Sequence, residues 1–173
     1  DFARAPVFWA WFFRPFADPG RRVVLLGRPR ALRSGTSTAD LAASYAEVIE
    51  RHIGPTRVVG ISMGGMIAQH LAAARPDLVV RLALAVTAAR VGSGGIAEGE
   101  RLAQLAAAGR WQQFARETNR ICFDGWLRVL LALLLTLVAP LFWRLGVPRG
   151  NGGRARDFRA SCEACRTHDG SAL

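Results

Sequence analysis

The stretch Gly60-Ile61-Ser62-Met63-Gly64-Gly65 places one serine among three glycines, between a β-branched run and a helix-forming run. A serine hydroxyl attacks a carbonyl only when its backbone presents it and a base takes its proton. A tight strand-to-helix turn provides the presentation. Such a turn is strained, so small residues are needed two positions before and two after, here Gly60 and Gly64, with Gly65 beyond. It lifts Oγ clear of the sheet edge and aims the Met63 N–H at an incoming carbonyl oxygen, where the positive end of the following helix adds to it. The bland alternative is a glycine-rich turn that cradles phosphate, but the spacing fits neither G-x-G-x-x-G nor G-x-x-x-x-G-K-[ST].

A base and an acid are harder to place. The histidines are His52, His70 and His168. His52 falls near the end of the helix before the serine turn. His70 lies on the helix after it, about 10 Å along the axis from Ser62. His168 follows Ser62 and is preceded by Asp124 and Asp157, so the order Ser, Asp, His can be written, but chain order gives no geometry, and His168 is expected at the surface of a C-terminal tail. The run Cys162-Glu-Ala-Cys165-Arg-Thr-His168 offers C-x-x-C and a histidine. As a zinc site its fourth ligand would have to be Cys122. As a redox motif it lacks a preceding strand, and on a helix the two cysteines simply share a face. No metal and no cofactor is expected.

The elements that would position Ser62 are legible as alternating periods. Residues 21–26, RRVVLL, read as a buried strand, and 27–38 as a loop. A helix follows over 39–51, with Leu41, Tyr45, Val48, Ile49 and His52 on one face. It is capped by Ser37 with Asp40 three residues on and ended by Gly54-Pro55. Residues 57–61 form the next strand, 65–76 the next helix, stopped at Arg75-Pro76, and 80–86 the third strand. The order βαβαβ implies α/β architecture with a parallel sheet. Beyond Val91 a GSGG joint leads into helices over 98–108 and 111–122. Residues 148–157, PRGNGGRARD, read as a Gly/Arg-rich loop.

Composition narrows the class of protein. A chain of 173 residues with 51% hydrophobic and 21% charged residues is globular and large enough for one core. The net charge is +10, yet all 23 basic residues are Arg and they are scattered. That pattern reads as coding bias and a solvated basic surface rather than a nucleic-acid footprint. Three cysteines suggest a reducing compartment, taken as cytoplasmic. Residues 129–143 carry no charge and are flanked by Arg128, Arg144, Trp126 and Trp143, which would suit a membrane interface. A span needs about 20 apolar residues, however, and Pro140 interrupts this one.

The stretch RVVGISMGGMIAQHLAAARPDLVVRLALA, 57–85, resembles the nucleophile region of α/β-hydrolases, most closely their esterase, lactonase and haloperoxidase-like branch. The likeness extends more loosely over about residues 21–168. It implies a serine hydrolase acting on a small apolar ester or lactone, with Ser62 as nucleophile, Met63 N–H as oxyanion donor and Gly60, Gly64 and Gly65 as the structural elbow. It also implies a core at 21–90 after an irregular segment at 1–20, and a helical cap over 91–173 in which 126–145 lines an apolar cavity. Where the family usually reads Asp-x-x-Gly-x-Gly-x-Ser, this chain has Gly27, Arg30, Leu32 and Ser34, and only the serine agrees. No His-Gly precedes residue 21, residue 1 is Asp, and the strands that normally bring acid and histidine would follow Leu173. The resemblance thus implies the middle half of a domain, inactive alone. The rival readings are a membrane-associated binding module anchored by 126–145, and a misread frame prone to aggregate.

Overall fold

The computed structural model describes residues 20, 22–29, 31–126, 129–130, 152–171 and 173. Two parallel strands, β1 (Thr56–Ile61) and β2 (Val79–Ala85), pair in register from Arg57 opposite Arg81 to Ile61 opposite Ala85. Helix α1 (Thr38–His52) precedes β1, and α2 (Met63–Ala74) crosses from β1 to β2. Three helices follow: α3 (Ser93–Ala107), α4 (Trp111–Cys122) and α5 (Gly152–Arg166).

Local signals explain the first three elements. Ser37 Oγ accepts the Asp40 N–H at 3.1 Å and the Asp40 carboxylate accepts the Ser37 N–H at 2.8 Å, which closes the expected capping box. Those bonds to Ser37 hold the Asp40 carboxyl below its usual range. The helix ends where Gly54, at φ +79°, returns its N–H to the Ile49 carbonyl at 2.7 Å. Leu41, Ala42, Ala46 and Ile49 of α1 pack on Ile67 and Leu71 of α2 and on Leu78, with Val58 and Val79 of the strands against them. The expected apolar face of α1 therefore shifts. Val48 and His52 are exposed, and Ala42 and Ala46 take their place because small side chains let α1 approach α2 closely.

Other expectations need correction. Residues 22–29 form no strand, so the described sheet has two strands rather than three. An apolar run becomes a strand only where a ladder partner receives its backbone groups. Three of the four residues of the GSGG joint are helical, since α3 begins at Ser93. The Gly/Arg-rich stretch is not a loop beyond Gly152, because α5 starts there. What holds α5 is tertiary packing: Ala160 and Ala164 are buried, as are Ala103 and Ala106 of α3, and Phe158 meets Phe114 of α4 edge to face at 5.1 Å. Arg120 of α4 bridges Glu117 and Glu98, and Arg101 of α3 reaches Glu117 at 2.8 Å, so charged pairs tie α3 to α4. Most of the apolar segment 126–145 lies outside the described residues. Among those described, no helix is long and apolar enough to cross a membrane.

Candidate active site

The turn between β1 and α2 is built on Ser62. Its backbone has φ 54° and ψ −126°, a conformation that L-residues other than glycine rarely adopt. Three hydrogen bonds over-determine it. The Ser62 N–H donates to the Ala85 carbonyl at the end of β2 at 3.0 Å. The Ser62 carbonyl accepts from Gly65 N–H at 2.8 Å and from Met66 N–H at 3.4 Å, the first bonds of α2. The Ser62 side chain is exposed and makes no cap bond to its own helix, so Oγ stays available at the C-terminal end of the strand. Met63 is the first helical residue, and N–H groups in that first turn have no intrahelical acceptor.

The glycines divide by what a side chain would meet. A Cβ at Gly60 would lie 2.6 Å from Gly65 Cα, 2.7 Å from the Gly64 carbonyl oxygen and 2.9 Å from Ala68 Cβ. At Gly65 it would lie 2.6 Å from Thr87. At Gly64 it would meet no described atom within 4 Å. The steric demand expected at Gly60 and Gly64 thus falls on Gly60 and Gly65: strand and helix cross at 60 and 65, while 64 points away. Thr87, on the far side of that crossing, was invisible in sequence because its contact is made across 22 residues of chain.

Residues 5–138, more than half of the 173-residue chain, match the family model of the alpha/beta hydrolase fold. The chain belongs to the α/β-hydrolase fold family. Membership supports hydrolase-type chemistry in general and agrees with the parallel α/β core. No curated protein and no solved structure matches the chain.

Within this α/β-hydrolase chain no histidine hydrogen-bonds to Ser62 among the described residues. His52 is exposed at the end of α1. His70 lies on α2 and bonds to His168, Nε2 to Nδ1 at 3.1 Å. His168 is not the surface residue expected: it is 2% exposed, and its Nδ1 also lies 3.0 Å from Thr38 Oγ1. Burial and the neighbouring His70 push its pKa down. Asp157 accepts the Leu32 N–H at 3.1 Å and Asp124 is exposed, so the formal order Ser62, Asp124 or Asp157, His168 corresponds to no assembled triad among the described residues. Cys122, Cys162 and Cys165 form no disulfide among the described residues. Burial pushes the Cys165 thiol up to about 11, which makes it an unreactive neutral group, and no set of three His, Cys, Asp or Glu able to hold a metal exists among the described residues.

Proposed function

We propose that this chain is a serine hydrolase whose nucleophile is Ser62, acting on a small apolar ester or lactone. The observation that carries the reading is the backbone of Ser62, φ 54° and ψ −126°, at the strand-to-helix turn of an α/β-hydrolase chain. Strain held by three hydrogen bonds is structure maintained at a cost, and it is spent on an exposed hydroxyl. In the proposed reaction Ser62 Oγ bonds to the carbonyl carbon, the carbon–oxygen bond to the leaving alcohol breaks, and the hydroxyl proton passes to that alcohol. Water then releases the acid from the acyl-enzyme. Met63 N–H, at the positive end of α2, donates to the oxyanion. The general base and its acid partner are unassigned. Helices α3 to α5 are proposed as a cap over the acyl pocket.

The test is product release from a short aryl ester. Release from the wild-type chain is expected to be weak, because no base is assembled at Ser62 among the described residues, and what there is should fall to background in Ser62→Ala, with the fold retained by circular dichroism. Release undiminished in Ser62→Ala overturns the nucleophile assignment.

A further inference from the structure

The pair His70 and His168 joins two parts of the chain far apart in sequence. His70 belongs to α2, the helix that Ser62 begins, and His168 follows α5 at the end of the helical layer. The rings meet edge to face with centroids 5.0 Å apart. Thr38, the first residue of α1 and 1% exposed, completes the contact. Residues just beyond His168 are strapped to the chain after β2: the Gly170 N–H donates to the Ala89 carbonyl at 2.7 Å, and Arg90 and Asp169 form a bridge. We propose that the His70–His168 contact is an acid-opened latch, closed at neutral pH and released on protonation of His168, which lets residues 167–173 and the adjoining end of α5 leave α1 and α2.

Burial beside a second imidazole makes the contact favour a neutral ring, since His168 is 2% exposed. With Nδ1 unprotonated, its single lone pair is shared between Thr38 Oγ1 at 3.0 Å and His70 Nε2 at 3.1 Å. Protonated, the ring carries N–H groups on both nitrogens. Its Nε2–H is buried without a described partner in either state, so on protonation part of a full charge rests on that unpartnered group, beside a second imidazole whose Nε2 lies 3.1 Å from Nδ1. The surroundings offer little to offset that cost. From α2 come His70 and the uncharged Gln69, and from α1 the uncharged Thr38. The nearest anion, Asp169, favours the charged ring, but Arg90 and the Ser171 N–H and hydroxyl hold it. Burial and His70 outweigh it, and the folded-state pKa of His168 lies below 6.5. The sign follows. The open segment binds the proton at an ordinary histidine pKa, so docking is at full strength above about pH 6.5 and weakens as pH falls from there towards the folded pKa.

Amide hydrogen exchange of this chain between pH 5 and 8, corrected for the intrinsic pH dependence of exchange, reads the opening. Between pH 6.5 and the folded pKa, opening of 160–173 should rise by up to about tenfold per pH unit, while β1 and the centre of α2 stay protected. His168→Gln should remove that slope. Should that variant fold poorly, His70→Gln serves instead. It keeps a donor for Nδ1, removes the second imidazole, and should raise the pKa of His168 read from its ring proton resonance. A flat pH profile for 160–173, an acid response shared equally by β1, or an unshifted His168 resonance in His70→Gln overturns the latch.

Discussion

A side chain added at residue 60 has backbone on two sides of it. The expected consequence is a contrast between two glycines of one motif. Gly60→Ala drives a methyl to within 2.7 Å of the Gly64 carbonyl oxygen and 2.6 Å of Gly65 Cα, neither of which is a flexible chain end, and should cost about 1–3 kcal/mol in urea unfolding. Gly64→Ala places its methyl in open space and should be neutral or stabilising by at most about 1 kcal/mol, since alanine favours helix. Equal losses at the two positions would refute the crossing geometry. The motif's spacing alone assigned the burden to 60 and 64. Sequence shows that a turn needs small residues, but which glycine faces the strand depends on the first turn of α2, and that is a three-dimensional fact. His168 teaches the same at longer range. Its partners are 98 and 130 residues away, so no local pattern marked it as buried.

At the scale of elements the sequence was most readable where local chemistry decides. The capping box at Ser37 and Asp40, the stop at Gly54 and the span 111–122 of α4 all follow from side chains bonding to nearby backbone or from helical period. Elements decided by a distant partner were misread in both directions. Residues 21–26 look like a strand and form none among those described, and 152–157 look like a loop and form helix. The capping box itself is testable. Ser37→Ala should lower stability by about 1 kcal/mol at neutral pH through loss of the cap. The acid limb carries a second signature. The bonds from Ser37 hold the Asp40 carboxyl below the usual carboxylate range, so its contribution is present above the unfolded pKa and is lost as pH falls through the folded one. Asp40→Asn should therefore flatten the decline in stability below about pH 4 relative to wild type, as read by thermal melts at stepped pH. An unchanged acid limb would show that the carboxylate does not hold the cap.

For the molecule as a whole, the sheet is covered unevenly. The register puts Val58 and Gly60 on the face that α1 and α2 cover, while Arg57, Val59 and Ile61 pair with Arg81, Ala83 and Ala85 on the other. On that second face Val59 is 57% and Ile61 48% exposed. Leu84, which pairs with Gly60, is 45% exposed as well. A parallel sheet is ordinarily buried on both faces. The continuous apolar runs of β1 and β2 carry that expectation in their composition, with no alternation to mark a wet side. Exposed strands that are apolar and short of neighbours tend to pair with other chains. The chain should therefore self-associate with rising concentration, and its elution volume in gel filtration should shift accordingly at neutral pH. Val59→Glu places a charge on the uncovered face without touching the α1–α2 core, so it should reduce association while leaving the melting temperature within a few degrees of wild type. Association unchanged by Val59→Glu, with the fold intact, would locate the sticky surface elsewhere. Loss of the fold in that variant would show that Val59 is packed rather than exposed.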